Sequence, residues 1–317
     1  MLQGIGSGIG MDSSVIESAK YPGLFQVSTT DFFYPLVEDP VDQGRIAACN
    51  VLSDMYAMGV ADVDNVLMLL AKSIDMPAAY ADIVTAEMIR GFDMQVKEAG
   101  SVVSGGQSVR NPWPIIGGVA QSICKAADII MPINAQAGDL IILTKPIGTQ
   151  LAVNAKQWMW DATKFANYAP EHTDERTVRR AFWMANRSMK RLNKIGAQLM
   201  HKHHAHAATD VTGFGILGHL DALVKNQTRD VSFELHTLPI LAGMAKLSKA
   251  APGFRLLQGF SAETSGGLMI CLSEADAHAY IEEITALEGE PAWIVGRVTE
   301  GGGRSATLLE DYKIIEV

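Results

Sequence analysis

The ten residues Asn50-Val51-Leu52-Ser53-Asp54-Met55-Tyr56-Ala57-Met58-Gly59 constrain this chain more than any other stretch. They set an amide and a carboxylate one helical turn apart in a segment that otherwise reads as core. Asp39-Pro40 upstream supplies an N-cap and a first-turn proline, and Gly59 supplies a stop. On the predicted helix Ala47, Val51, Asp54 and Met58 share one face. A carboxylate on an apolar face is costly unless it is paired or binds a metal, so Asp54 requires a partner.

Three other aspartates have similar surroundings. Asp12 follows Gly8-Ile9-Gly10-Met11, Asp31 follows Ser28-Thr29-Thr30 at the predicted end of a strand, and Asp210 sits between Ala205 and Gly215. All are flanked by small, apolar or hydroxyl residues rather than by Lys and Arg. Each alone also fits a helix cap or turn. Together, hard oxygen ligands from several carboxylates suit Mg²⁺, which keeps waters and bridges to substrate phosphates. The glycine clusters Gly4 to Gly10 and Ser104-Gly105-Gly106-Gln107-Ser108 expose backbone N–H groups that can approach phosphates. Neither matches a P-loop or the dinucleotide fingerprint. His201, His203, His204 and His206 lie among lysines at a predicted helix end, where cationic side chains favour the dipole, and read as a solvated terminus. No Ser-His-Asp arrangement is supported by spacing.

With 317 residues the chain favours two domains. A net charge of -9 disfavours nucleic-acid binding, which wants a basic face. Cys49, Cys124 and Cys271 are far apart and odd in number, which fits buried thiols in a reducing compartment. No apolar run approaches the roughly 18 residues of a membrane span, and no leader precedes the first motif, so a cytoplasmic protein without membrane association is expected. The chain begins almost inside its first glycine-rich motif, which reads as a start downstream of a natural N-terminus.

Strand-like runs at 24–30, 63–70 and 115–123 alternate with helical patterns over Asp54 and over 77–100. Turn residues at 132–138 close this half. A second half carries strands at 140–144, 231–235, 268–272 and 292–298, and helices at 171–200, 212–225 and 274–287. This predicts two α/β or α+β domains, residues 1–134 and 135–317. The residues themselves lead to a phosphorylated ligand bound through Mg²⁺ held by dispersed aspartates, without identifying the reaction.

Several long segments resemble the selenophosphate synthetases, close to the eukaryotic form. They include Gly8 to Asp12, Thr29-Thr30-Asp31 with Tyr34-Pro35, Gly44 to Gly59, Gly105-Gly106-Gln107 with Asn111-Pro112-Trp113, Leu143 to Gln150, Ala205 to His219 and Glu263 to Leu268. The resemblance implies the aminoimidazole-ribonucleotide-synthetase-like fold. Its N-terminal half would form a β-barrel with a second subunit in a homodimer, and its C-terminal half would be α/β. It also implies the reaction in which ATP, selenide and water give selenophosphate, AMP and orthophosphate. By the same resemblance Gly10, Met11 and Asp12 contact ATP or its metals, and Asp31 and Asp54 face phosphates and Mg²⁺. Gly105, Gly106, Gln107 and Ser108 contact nucleotide, and Asp210 is a metal ligand, with Asp12 and Asp54, from the second half. The family's reactive Cys or selenocysteine and its essential Lys precede the Gly-Met-Asp motif. No Cys or Lys lies among the residues before Gly10, and neither role can be moved to Cys49 or Lys20. A polypeptide that folds and dimerises but turns over slowly is therefore expected. Another ATP-using enzyme of the superfamily, and a non-catalytic nucleotide-binding relative, stay open as alternatives.

Overall fold

The computed structural model describes residues 11–168 and 172–317. They form two compact units, the first running to Ile130 and including Lys190–Gln198, the second comprising Met131–Met189 and Leu199–Val317.

The first unit contains β1 (Ser14–Glu17), β2 (Leu24–Phe33), α1 (Pro40–Ala57), β3 (Asn65–Ser73), α2 (Ala78–Glu98), β4 (Val103–Asn111) and β5 (Ile115–Lys125). Its sheet has the order β1-β2-β5-β3-β4, antiparallel except for the parallel β3–β4 pair that α2 connects. Among the described residues this sheet is open, with β1 and β4 at its edges. A barrel would need strands from a second copy.

Helix α1 begins as the sequence dictates. The Asp39 carboxylate accepts the N–H groups of Val41 and Asp42, and Pro40 occupies the first turn. It ends at Ala57, followed by Gly59 with φ 76°. From Ile46 to Ala57 every residue is buried except Asp54. The helix is therefore a central core element with a single polar opening rather than a surface helix with one apolar face. It packs on α2, β2 and β5. The contact with α2 brings backbone against backbone: a Cβ on Gly44 would lie 2.1 Å from the Met88 carbonyl oxygen, and one on Gly91 would lie 2.0 Å from that of Val41.

Two expectations change in this unit. The strand expected over 24–30 continues to Phe33, so Asp31 lies inside β2, not at its end. The segment Ser104–Ser108, expected to offer a glycine loop, is part of edge strand β4, with Gly105 and Gly106 opposite Leu67 and Met68. Glycine is a weak strand signal, and here the neighbouring strand decides. Gly106 has φ 143°, and a Cβ there would lie 1.9 Å from the Met68 carbonyl oxygen.

The second unit contains β6 (Leu140–Leu143), α3 (Thr149–Trp158), α4 (Ala162–Tyr168), α5 (Glu175–Met189), the end of α6 (Lys194–Lys202), β7 (Ala207–Asp210), α7 (Gly215–Lys225), β8 (Val231–Ile240), α8 (Met244–Ala250), β9 (Leu268–Leu272), α9 (Glu274–Glu288), β10 (Trp293–Glu300) and β11 (Ala306–Glu316). Its sheet has the order β11-β8-β10-β6-β9-β7, antiparallel except for β11–β8. Helix α9 packs on β6 and β9, and α7 on β7, β8 and β11. The single helix expected over 171–200 is two, α5 and α6, interrupted before Lys194. Asn193 sits at the break, and its amide donates to Ser53 Oγ at 3.0 Å. Asparagine favours such a cap over a helix interior.

Candidate functional site

In the first unit the strand and helix periodicities match. Thr29 and Asp31 lie two residues apart on the face of β2 that meets α1, an advance of about 6.6 Å. Asn50 and Asp54 lie four residues apart on α1, an advance of about 6 Å. Two crossed pairs result. The Thr29 hydroxyl donates to Asp54 Oδ2, and the Asn50 amide donates to Asp31 Oδ2. Thr29 is thus one partner that Asp54 required. Both carboxylates are only partly buried and are held side by side by neutral donors, which orient them without cancelling their charge.

Asp12 stands just before β1 and is also partly buried. Its neighbour Ser13 is 1% exposed and directs its hydroxyl to the Met55 sulfur at 3.7 Å, next to Asp54. The β1–β2 register pairs Ser14 with Ser28, and continued by two residues it sets Asp12 beside Thr30. Three of the predicted aspartates therefore gather at one end of the first unit. Met11 precedes them, and Gly10 lies outside the described residues. Opposite Asp31 on β5 stands the glycine pair Gly117-Gly118, and a Cβ on Gly117 would lie 2.1 Å from the Asp31 carbonyl oxygen. Gly105, Gly106, Gln107 and Ser108 are all exposed on β4.

In the second unit Asp210 ends β7 and is 1% exposed. The turn after it is held from two sides. His219, on α7, accepts the Phe214 N–H at 3.3 Å through Nε2, which also lies 3.1 Å from the Thr212 hydroxyl. A carboxylate oxygen of Asp210 and a ring nitrogen of His219 lie within 4.8 Å of each other. Burial pushes His219 down to about 4, so the ring is neutral at physiological pH. On the other side the Glu263 N–H donates to the Thr212 carbonyl at 3.0 Å, and a Cβ on Gly266 would lie 2.0 Å from the Val211 carbonyl oxygen.

Glu263 also anchors the first turn of α3. Its buried carboxylate accepts the N–H of Gly148 at 2.6 Å, the N–H of Thr149 at 2.9 Å and the Thr149 hydroxyl. Lys145, equally buried, donates from Nζ to the Ser265 carbonyl at 2.9 Å. The segment Glu263–Gly267 therefore ties the Lys145–Thr149 loop to the turn that follows Asp210. Burial lifts Glu263 to about 7, against the pull of its three donors. Such a group adds stability that is full below about 4.5 and is lost as pH rises through 7. Glu263→Gln should flatten that part of the pH–stability curve. Glu263→Ala, which uncaps α3, should cost about 2–4 kcal/mol in urea unfolding. An unchanged urea midpoint in Glu263→Ala would show that the clamp does not support the unit.

The histidines of the 201–206 run are not merely solvated. His203 Nε2 lies 2.8 Å from Glu283, and His206 Nδ1 lies 2.9 Å from both oxygens of Asp139. Each faces its own carboxylate. The three cysteines are buried and free.

Asp31 and Asp54 offer hard oxygen donors oriented by an amide and a hydroxyl, and Asp210 offers a third carboxylate. This donor chemistry fits Mg²⁺. Thr29, Glu263 and His219 were not assigned roles from the sequence. Thr29 was visible only as a hydroxyl two residues before Asp31, and the others only as members of matching segments.

The descriptions "AIR synthase related protein, N-terminal domain" and "AIR synthase related protein, C-terminal domain" match residues 10–124 and 136–308. The chain is 49% identical to "Selenide, water dikinase" of Dictyostelium discoideum, covering 100% of this chain and 88% of that protein. It is 51% identical to "Selenide, water dikinase 2" of Homo sapiens, covering 98% and 69%, and 48% identical to "Selenide, water dikinase" of Trypanosoma brucei brucei, covering 98% and 81%. Solved structures of the same fold include the thiamine monophosphate kinase of Aquifex aeolicus, with TM-score 0.68, 16% identity and coverage of 96% and 93%. Hydrogenase maturation protein HypE in complex with ATP superposes with TM-score 0.62, 15% identity and coverage of 97% and 88%. At those identities the likeness concerns the fold alone, whereas the near 50% matches run along almost the whole chain and settle the family. The chain belongs to the selenide, water dikinase family, within the AIR-synthase-related proteins.

Proposed function

We propose that the chain is a phosphotransferase that converts ATP, selenide and water to selenophosphate, AMP and orthophosphate. The observation that carries this reading is the alignment of nearly the full chain with selenide, water dikinases. The crossed Thr29–Asp54 and Asn50–Asp31 pairs supply a place for the chemistry. Asp12, Asp31, Asp54 and Asp210 are the residues that would hold Mg²⁺. Bound Mg²⁺ would offset the charge of the ATP phosphates and the charge developing during phosphoryl transfer. Thr29 and Asn50 keep the carboxylates aimed, so that little reorganisation is needed when nucleotide arrives. Gly10, Met11, Gly105, Gly106, Gln107 and Ser108 are assigned to nucleotide contact, the last four on an exposed strand that phosphate or ribose can approach.

The reading extends to a cytoplasmic homodimer with domains 1–134 and 135–317. Free, buried cysteines suit a reducing compartment. Among the described residues no helix is long and apolar enough to cross a membrane. The first-unit sheet leaves Ile16, Phe32 and Ile123 exposed, and Ile16 and Ile123 flank Gln26 in register. An open sheet with apolar residues on its exposed face suits closure by a second copy. Sedimentation equilibrium should give twice the chain mass, and Ile123→Asp should shift the mass towards one chain. A wild-type mass of one chain at micromolar concentration would refute the dimer.

Product identity tests the reaction. Phosphorus NMR of ATP, selenide and Mg²⁺ with this polypeptide should show selenophosphate, AMP and orthophosphate in equal amounts, even at slow turnover. Formation of ADP, or the same products without selenide, would overturn the assignment and favour another member of the superfamily.

A further inference from the structure

We infer that His219 is a positioning residue that keeps hydrogen-bond donors away from the Asp210 carboxylate, so that a divalent cation there meets oxygen ligands and no histidine nitrogen. The inference rests on the reading of Asp210 as a divalent-cation ligand.

The bonding pattern fixes the roles. A backbone N–H can only donate, so Nε2 of His219, which receives the Phe214 N–H at 3.3 Å, must present its lone pair. The Thr212 hydroxyl, 3.1 Å from the same nitrogen, must then donate to it as well. In the neutral ring the proton sits on Nδ1, which removes that nitrogen as a ligand atom. Both ring nitrogens are thereby taken out of metal coordination, although the ring lies within 4.8 Å of the Asp210 carboxylate.

This arrangement has a chemical consequence. The turn after Asp210 carries an amide N–H and a hydroxyl that would otherwise be available to an anionic side chain. His219 collects both, and its ring packs against Phe214 at 5.4 Å between centroids, which fixes the turn. The Thr212 oxygen then shows lone pairs, not a proton, to its remaining surroundings. The His219 ring is 84% buried and cannot swing out to solvent without leaving these two donors unsatisfied. A site built this way favours hard cations such as Mg²⁺ and Mn²⁺ over Zn²⁺, which seeks imidazole nitrogen.

Mn²⁺ added to the full chain, followed by electron paramagnetic resonance, tests this without turnover. The inference predicts no directly coordinated ¹⁴N in the electron spin-echo modulation of bound Mn²⁺ that is sensitive to His219→Gln. His219→Ala should weaken Mn²⁺ binding about 10–100-fold, the usual effect of losing a group that orients a ligand. His219→Gln, whose side-chain oxygen can accept the same two donors, should restore most of the affinity. A ¹⁴N coupling that disappears in His219→Gln would make His219 a ligand and overturn the inference. Unaltered Mn²⁺ affinity in His219→Ala would overturn it too. Asp210→Asn is the separate control: if it leaves Mn²⁺ affinity unchanged, the assignment of Asp210 itself falls, and the role of His219 with it.

Discussion

Asp54→Asn should abolish Mg²⁺-dependent ATP binding while leaving the protein folded. The loss expected is at least about 100-fold in nucleotide affinity or turnover, as for removal of a group that stabilises developing charge. The structure gives the reason. Asp54 is the one residue from Ile46 to Ala57 that is not buried, and it accepts from Thr29, which carries no charge. Asparagine keeps the size and can still accept the Thr29 hydroxyl, so the folding cost should be about 1 kcal/mol. Thermal unfolding and isothermal titration with ATP in the presence of Mg²⁺ separate the two effects. A collapse in melting temperature with normal nucleotide affinity would make Asp54 a structural residue and remove it from the site.

The largest effect on stability is expected at the α1–α2 contact. Gly44→Ala or Gly91→Ala should cost about 3–5 kcal/mol, at the upper end of what single substitutions do. In each case the new methyl would meet a carbonyl oxygen of the other helix near 2 Å, at Met88 for Gly44 and at Val41 for Gly91. Backbone cannot swing aside as a long side chain can, so the helices must separate and open the packing around α1. Either substitution forces the same separation. The double variant should therefore cost clearly less than the sum of the two, because the second methyl enters a gap the first has made. Urea midpoints of the two single variants and the double variant measure this. Additive costs, or costs below about 1 kcal/mol, would show that the helices accommodate side chains at this crossing.

How much of this was legible in the chain depends on the signal each element carries. Helix α1 was readable because Asp39-Pro40 and Gly59 bracket it with cap chemistry, and both caps form. Strand β9 was readable because Leu268–Leu272 is a short apolar run of strand length. Strand β7 was not: Ala207–Asp210 is four small or polar residues whose strand character comes from pairing with β9. Strand β4 failed for the opposite reason, since Gly105-Gly106 announces a loop and only β3 makes it a strand. At the site, the sequence marked Asp31 and Asp54 as unusual but could not pair them, because Thr29 and Asn50 reach them across a strand–helix contact. Glu263 was harder still. Its partners Gly148 and Thr149 lie more than a hundred residues away, and no local pattern links them.

The central claim is that dispersed carboxylates hold divalent cations against the phosphates of ATP. Crystals grown with Mn²⁺ and a non-hydrolysable ATP analogue, with anomalous scattering recorded from Mn²⁺, test it most directly. The account predicts Mn²⁺ peaks at about 2.1 Å, the usual Mg²⁺–oxygen distance, from carboxylate oxygens of Asp31 or Asp54 and of Asp210, with phosphate oxygens completing their coordination. Nucleotide bound with its cations away from all of these aspartates would contradict it.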